Sequence, residues 1–274
     1  MRTPLITANW KMHKTVAEAV RTIEELRPLV ADLKGAEASV CAPFTALFTV
    51  AAACKGSNIA WGAQDVYWEE KGAFTGEISP AMLTDLGCTQ VIVGHSERRA
   101  RFGKADPNMT EALMRVFGDN DETVNRKAQA VIAYGMTPII CVGETIAERQ
   151  AQQTDAVVSS QIEKALAGID AVAVAKLVIA YEPVWAIGTG EFCDPPEANR
   201  VIGLIRSAVE RTSGKQAAQG VRIQYGGSVK PDNIADFMAL PEIDGALVGG
   251  ASLEAKSFGE LCQSAARAAV ARKG

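Results

Sequence analysis

The sequence has 274 residues, of which 48% are hydrophobic and only 6% are aromatic, and its net charge is −4. A chain of this length can bury a large aliphatic core, and α/β barrels of about 250 residues commonly form one domain. Because no basic run is present, we expect no binding to nucleic acid or to a membrane. No leader-like segment and no apolar run of about 18 residues occurs, which predicts a soluble, cytoplasmic protein.

The residue types that bind metals and cofactors are sparse. The six cysteines are scattered without a CxxC pair, which predicts reduced, buried thiols rather than disulfides. His13 and His95 are the only histidines, and no His/Cys/carboxylate cluster has metal-ligand spacing. A Walker loop and a complete dinucleotide fingerprint are also missing. We therefore expect no metal and no cofactor, and we expect acid–base chemistry carried out by side chains.

Eight short apolar runs rich in β-branched residues predict buried parallel strands. Between them, apolar residues recur with helical spacing, and one helix is predicted to start at Asp194-Pro195-Pro196-Glu197, where an acid precedes proline. In chain order the predicted strands are residues 5–8, 38–42, 59–63, 90–93, 138–142, 177–180, 221–224 and 246–248.

The alternation of strands and helices predicts an α/β fold. An open doubly wound sheet could also hold eight strands. A closed barrel is favoured because there are eight strands and because nearly every one is followed by a polar or glycine-rich motif. In a barrel these strand ends converge on one face, where active sites lie. No linker or shift in composition divides residues 1–274, so we expect one barrel domain.

Glu182 follows the sixth predicted strand, and the residues after it have the character of a lid. A carboxylate at a strand end is usually solvated. Here a proline start, a glycine-containing tip and apolar cover from Trp185 and Ile187 favour a closing lid, which would exclude water and make the carboxylate more basic. The predicted lid residues are Pro183, Val184, Trp185, Ala186, Ile187, Gly188, Thr189 and Gly190.

His95 ends the fourth predicted strand and precedes Ser-Glu-Arg-Arg, which is typical of a first helical turn. A lone histidine is more often a core residue, but the positive end of a helix would keep this imidazole neutral. A neutral imidazole can donate a proton to an enediolate oxygen. Glu97 has two open interpretations, an ion-pair partner of Arg98 or Arg99 and a second proton-shuttling carboxylate.

Lys11 follows the first predicted strand, where its ammonium group could neutralise a phosphate or an oxyanion over the barrel mouth. The segment 225–229 and the pair Gly249-Gly250 follow the seventh and eighth strands. Such glycine pairs often form tight turns. Their position at the last two strands favours a phosphate site made of backbone N–H groups.

Together these motifs resemble the triosephosphate isomerase family over almost the whole chain, and they imply its α/β architecture, a single (β/α)8 TIM barrel. The motifs around His95 and Glu182 are the most specific ones. The segments that carry the resemblance are residues 8–12, 62–65, 72–77, 93–99, 141–144, 180–190, 225–229 and 247–253.

The resemblance implies interconversion of dihydroxyacetone phosphate and D-glyceraldehyde 3-phosphate through an enediolate, a step of glycolysis and gluconeogenesis. By position in the motifs, Glu182 corresponds to the base and His95 to the neutral electrophile, the family's known acid–base pair. Lys11 and Asn9 would stabilise negative charge, and Glu97 would be a supporting acid.

The resemblance also implies binding residues and an assembly. Ile187 and Leu247 match the family's apolar clamp over the glutamate. Thr75, in the loop of residues 72–77, matches the residue that reaches towards a neighbouring subunit's active site, so a homodimer is implied. The implied phosphate-binding residues are Asn9, Lys11, Gly188, Ser228, Gly249 and Gly250.

One departure from the family lies in the loop after the fourth strand. Phe-Gly occurs twice, at Phe102-Gly103 and at Phe117-Gly118, which indicates an insertion near residues 104–118. Pro107-Asn108 predicts a helix start, and the apolar residues that follow form one stripe that needs a cover, either the barrel's own face or a partner subunit. We favour the partner. The stripe consists of Met109, Leu113, Val116 and Phe117.

Two other functions compete with the isomerase. A Schiff-base aldolase would need a lysine deep in the barrel on a late strand, whereas Lys176 starts the sixth strand at the opposite end. Borohydride trapping with dihydroxyacetone phosphate tests that alternative. An inactive scaffold is the second, and the intact Lys11, His95 and Glu182 speak against it. A coupled isomerase assay decides between the scaffold and the enzyme.

Overall fold

Eight parallel strands form a closed barrel in the order β1 to β8 in the computed structural model, which describes residues 2–104 and 108–272. The closed barrel, rather than an open sheet, is thereby confirmed, and every strand lies within one residue of its predicted bounds. The strands are β1 Leu5–Asn9, β2 Glu37–Ala42, β3 Ile59–Ala63, β4 Gln90–Val93, β5 Thr137–Val142, β6 Val178–Tyr181, β7 Arg222–Tyr225 and β8 Gly245–Val248.

Helices surround the barrel, and several of them begin at a residue whose side chain caps the first turn. The predicted start at Asp194 is confirmed, because its side chain accepts a hydrogen bond from the backbone N–H of Glu197 at 2.9 Å. Within the described ranges no helix is long and apolar enough to cross a membrane. The helices are α1 Val16–Val30, α2 Leu47–Cys54, α3 Pro80–Asp85, α4 Glu111–Met114, α5 Asp121–Ala133, α6 Ile146–Gln150, α7 Thr154–Ala165, α8 Ala171–Val174, α9 Pro195–Ser213, α10 Lys215–Gly220, α11 Ile234–Met238 and α12 Ala255–Ala271.

The barrel interior combines an apolar layer with a polar one. Within the polar layer, the Ser39 hydroxyl donates to Thr7 Oγ1 at 2.9 Å, and Gln224 Nε2 donates to the same oxygen at 2.9 Å. These bonds satisfy polar groups that are fully buried. The predicted buried thiols are confirmed, since all six cysteines are buried and free. The apolar interior residues are Leu5, Cys41, Ile92, Ile139, Cys141, Val178, Ala180 and Leu247.

A short helix follows β4 in the inserted segment as predicted, but it begins later than predicted and ends at Met114, so Val116 and Phe117 of the predicted stripe lie beyond it. Asn108 lies in a turn, and α4 begins at Glu111 because the Thr110 hydroxyl caps it by accepting from the backbone N–H of Leu113 at 3.3 Å. Pro107, the other half of the predicted start, lies outside the described residues. The chain itself leaves much of the apolar stripe uncovered, with Leu113 55% and Val116 75% exposed.

Candidate active site

The carboxyl ends of the strands surround a cleft of about 860 Å³. Side chains from the ends of β1, β4 and β6 meet there with the turns after β7 and β8, as the barrel prediction requires. The structure thus brings together residues that the sequence analysis singled out one strand at a time. The predicted residues that line the cleft are Asn9, Lys11, His95, Glu97, Glu182, Ile187, Gly188, Ser228, Leu247, Gly249 and Gly250.

Glu182 and His95 form the buried centre of this cleft. Only 2% of Glu182 and 6% of His95 are exposed. Nε2 of His95 lies 2.8 Å from Oε1 of Glu182, and the backbone N–H of Ser96 donates to Oε2 at 2.9 Å. Among the described residues, no aligned hydrogen-bond donor reaches Oε1. One carboxylate oxygen is therefore held by the backbone, and the other faces the imidazole.

The imidazole of His95 is fixed in one tautomer by the chain that follows it. Residues Ser96–Arg99 form a 3₁₀ turn, as the sequence indicated, and the backbone N–H of Glu97 donates to Nδ1 of His95 at 3.2 Å. Since Nδ1 accepts this bond, the proton of a neutral imidazole lies on Nε2. The donor nitrogen thus points towards the cleft and Glu182.

Several effects act on the pKa of Glu182. Burial raises it, but the neighbouring imidazole of His95, the Ser96 N–H group and the charge of Lys11 together lower the pKa below its ordinary value. We expected a covered glutamate to be more basic. In this arrangement the pKa moves the other way because the effects of His95, the Ser96 N–H group and Lys11 outweigh that of burial.

Lys11 is held in an uncommon backbone conformation at the cleft wall. Its φ is +51°, in the left-handed region, and its N–H donates to the Asn9 side-chain oxygen at 3.0 Å. Its Nζ donates to Oε1 of Glu97 at 2.7 Å. A Cβ added to Gly249 would lie 3.4 Å from its Cε. The Lys11 side chain therefore runs from the end of β1 past the turn after β8, and its ammonium group reaches Glu97.

Glu97 does not pair with the arginines beside it, so the first of its two interpretations is wrong. Arg98 pairs with Asp65 at 2.9 Å, and Arg99 pairs with Asp121 at 2.8 Å. The 3₁₀ turn directs both guanidinium groups away from the cleft, whereas the glutamate faces it. The carboxylate of Glu97 meets the ammonium group of the β1 lysine instead.

The segment after Glu182 packs against a buried carboxylate that the sequence analysis did not select. Residues Val184–Ala186 form a 3₁₀ turn. The indole N–H of Trp185 donates to Oε1 of Glu144 at 2.8 Å, and the Ser228 hydroxyl donates to the Ala186 carbonyl at 3.3 Å. Burial raises the pKa of Glu144 despite the hydrogen bonds that it accepts from Trp185 and Tyr181. The signal available in the sequence was its place directly after β5, in the motif Gly143-Glu144.

Glycines allow the strand ends to approach Glu182 closely. A Cβ at Gly143 would lie 1.7 Å from the Glu182 carbonyl oxygen, and a Cβ at Gly226 would lie 3.0 Å from its Cγ. A side chain at Gly143 would displace the backbone of Glu182, and one at Gly226 would crowd its side chain. At Gly188 and Gly250, in contrast, an added Cβ would meet no described atom within 4 Å, so open space adjoins both.

Further residues line the cleft without having been selected from the sequence. Ser96 holds the glutamate, and Arg101, Gly103 and Lys104 come from the loop after β4. Arg101 and Lys104 belong to no motif that the sequence analysis singled out, and Gly103 was noted only as part of a repeated Phe-Gly pair. Thr75, which was selected, is exposed and does not line this cleft. Among the described residues, no group of three or more His, Cys, Asp or Glu could hold a metal ion.

The fold and the cleft are those of the (β/α)8 barrel class of enzymes, with a buried glutamate–histidine pair and glycine-rich turns at the carboxyl ends of its strands. The family profile described as Triosephosphate isomerase matches residues 4–265. The chain belongs to this family, and its activity is that of an intramolecular oxidoreductase, an aldose–ketose isomerase acting on triose phosphate.

Individual relatives are similar over nearly the full length. A triosephosphate isomerase of Pelobacter propionicus is 52% identical over 261 residues, which cover 95% of this chain and 98% of the relative. One of Symbiobacterium thermophilum is 50% identical over 268 residues, covering 98% and 99%. The crystal structure of triosephosphate isomerase from Bartonella henselae superposes with a TM-score of 0.81 at 33% identity, covering 96% of this chain and 98% of that one.

Proposed function

We propose that the enzyme interconverts dihydroxyacetone phosphate and D-glyceraldehyde 3-phosphate by proton transfer through an enediolate, with Glu182 as the base and His95 as the electrophile. The observation that carries this mechanism is the buried pair in which Nε2 of His95 lies 2.8 Å from the Glu182 carboxylate at the cleft. One group can accept a carbon-bound proton while the other donates to the adjacent oxygen.

Glu182 takes a proton from C1 of dihydroxyacetone phosphate, and the released electron pair forms the C1–C2 double bond. The lowered pKa keeps the carboxylate ionised in the free enzyme, which is the form that accepts a proton. The resulting carboxylic acid returns the proton to C2, while the C1 hydroxyl gives its proton to the deprotonated His95, which forms the C1 aldehyde and restores both side chains. For this the carboxylate leaves the Ser96 N–H group and turns into the cleft.

His95 donates its Nε2 proton to the carbonyl oxygen as the enediolate forms. Neutral imidazole and the enediol hydroxyl group are both weak acids. A proton transfer between them therefore strongly favours neither the donor nor the acceptor. Lys11 supplies positive charge beside the developing oxyanion, and Asn9 fixes the backbone of that lysine. Glu97 is the supporting acid, held by its ion pair with Lys11.

The substrate phosphate is held by backbone N–H groups at Gly188, Ser228, Gly249 and Gly250, with Asn9 and Lys11 contributing from β1. Open space beside Gly188 and Gly250 supports this placement, because a phosphate needs room where a side chain would otherwise stand. Residues 183–190 close over it as a lid. Ile187 and Leu247 line the cleft as the apolar clamp on the glutamate.

The chain functions in the cytoplasm as a homodimer, in which Thr75 of one subunit reaches the active site of the other. It does not bind nucleic acid. Exposed apolar side chains near the barrel mouth support an assembly, with Met12 95% and Phe48 72% exposed. Phe74, beside Thr75, is 39% exposed. Residues 1–274 form one barrel domain, and the insertion near 104–118 belongs to the same face.

Isomerisation in D₂O tests the proton-transfer mechanism. A proton held on a carboxylate exchanges with solvent, so NMR of the product should detect deuterium on carbon. A product without deuterium from the wild-type enzyme would indicate a direct hydride shift and would contradict the enediolate. The variant Glu182→Gln should lose both isomerisation and deuterium incorporation.

A further inference from the structure

Gly103 brings the loop after β4 into direct contact with the backbone of residues 183–190. A Cβ added at Gly103 would lie 2.3 Å from the Ile187 carbonyl oxygen, 2.6 Å from the Val184 carbonyl oxygen and 3.1 Å from Thr189 Cγ2. Real Cβ atoms do not approach other atoms this closely, and two of the three neighbours are backbone atoms. A side chain at Gly103 would therefore require the backbone of this segment to move.

The two residues that precede Gly103 in this loop are held by contacts of their own. The backbone N–H of Arg101 donates to the Ser96 carbonyl at 2.9 Å, and its guanidinium group donates to the Gly143 carbonyl at 3.1 Å and pairs with Glu148. The ring of Phe102 packs edge-on against Phe117, with ring centroids 5.3 Å apart. The loop is therefore held in place against the segment that it contacts.

The other side of the contact is anchored close to the base. The Val184 N–H group donates to the Glu144 carbonyl at 3.1 Å, and Glu144 also accepts the indole N–H of Trp185. Val184 lies only two residues after Glu182. Displacement of the Val184 carbonyl would therefore be transmitted to the carboxylate as well as to the covering segment.

We propose that Gly103 is a positioning residue for the isomerisation: its missing side chain lets the loop after β4 support residues 184–189 and thereby sets the position of the lid and of Glu182. This proposal rests on the lid role proposed above for residues 183–190. The role belongs to the first Phe-Gly pair alone. At Gly118, in the second pair, an added Cβ would meet no described atom within 4 Å.

The two glycines make a matched pair for a test, because each follows phenylalanine and neither has a positive φ. Alanine fits the backbone at both positions, so only the surroundings of the new methyl group differ. Gly103→Ala should lower kcat/KM by about tenfold to hundredfold, since a misplacement of ~1 Å can cost up to ~10² in rate. KM should rise and kcat fall together, as for changes at a lid hinge. Gly118→Ala should change kcat/KM by less than about twofold.

Hydrogen–deuterium exchange separates lid positioning from a general loss of stability. With an equilibrium mixture of the two triose phosphates as the ligand, the wild-type peptide containing residues 184–192 should be protected. In Gly103→Ala this peptide should exchange faster without ligand and lose part of its protection, while the peptide of α9 stays unchanged. Gly118→Ala should match the wild type.

Several outcomes would overturn the proposal. One is a folded Gly103→Ala variant with wild-type kcat, KM and lid exchange. Another is an equal loss of kcat/KM in Gly118→Ala, which would indicate an effect of the whole loop.

If Gly103→Ala does not fold, Phe117→Ala loosens the same loop from outside and should still speed lid exchange by about twofold or more, since it removes an aromatic pair. No change there would refute the support role. Absent ligand protection in the wild type would instead refute the lid itself.

Discussion

The ends of the strands and the inserted segment share one face of the barrel, but different contacts hold them. At the strand ends, Glu182, His95 and Lys11 are buried or half-buried and bound to neighbours at 2.7–2.9 Å. In the insertion, Leu113 and Val116 are exposed and make no comparable network. Groups that are fixed by short polar contacts suit a reaction whose rate depends on tenths of an ångström in the position of the reacting atoms. Exposed apolar groups suit association, which depends on buried area.

Removal of the base should have the largest effect on the strand-end region. Glu182→Gln keeps the shape of the side chain but cannot accept the carbon proton, so turnover should fall by at least ~10²–10⁴ while the melting temperature stays similar. The matched control is Glu191→Gln, an exposed glutamate just beyond the lid, which should retain activity. A well-folded Glu182→Gln enzyme with near-normal turnover would remove this residue from its proposed role.

Two lysines allow the comparison between the regions to be made directly, because Lys11 and Lys104 line the same cleft. Lys11→Met should reduce kcat/KM by ~10²–10³, the effect of losing a positioned group beside a developing oxyanion. Lys104→Met removes an exposed charge and should cost no more than about fivefold, decreasing with added salt. Equal losses, measured by steady-state kinetics, would show that the insertion belongs to the catalytic machinery.

The lowered pKa of Glu182 predicts how the stability of the folded protein changes at low pH. Because the folded-state pKa is lowered, the carboxylate stabilises the native state above the ~4.3 of an unfolded glutamate, and this contribution is lost as pH falls through the lower folded value. Carboxyl ¹³C NMR of the ligand-free enzyme, compared with Glu182→Gln, should show a resonance that titrates below ~4.3. A resonance that titrates near neutrality would contradict the assignment. NMR is preferable to kinetics because the substrate phosphate itself titrates near ~6.

Deletion of residues 104–118 should separate association from chemistry. The Asp119 N–H group donates to the Arg98 carbonyl at 3.1 Å, so the chain after the insertion returns to the turn after β4, and Gly103 is retained. We expect turnover within about tenfold of the wild type, as for loop changes away from the reacting atoms. Light scattering over a dilution series should show weaker association. Unchanged association together with a collapse of turnover would assign the segment to the active site.

Chelation should have the smallest effect of all. Lys11 and His95 are assigned the charge stabilisation that a divalent ion would otherwise supply, so activity should survive exhaustive treatment with EDTA. Recovery of a lost activity by one added divalent ion would refute this assignment. Addition of the same ion to untreated enzyme serves as the control.

Much of this protein followed from the sequence because the relevant signals are local. Each strand was recognisable from its own apolar run, and most of the predicted cleft residues lie at or shortly after the end of one of those runs. A closed barrel of parallel strands then brings all of these ends to one face, whatever the details of the packing. The turn after His95 and the start of α9 at Asp194 were likewise predictable, because a cap bonds to residues two or three positions away.

Tertiary structure alone decided which atoms meet between segments that are distant in sequence. Lys11 pairs with Glu97, 86 residues away, although the neighbouring arginines were the simpler partners by spacing. Glu182 binds Ser96 across the same separation, which lowers a pKa that burial alone would raise. Gly103 meets Val184 because of the path that the loop after β4 takes. Sequence spacing specifies which groups lie at the end of the same strand. The paths of the loops and the packing of side chains determine which partners these groups meet. Those partners set the charge and the position of each group.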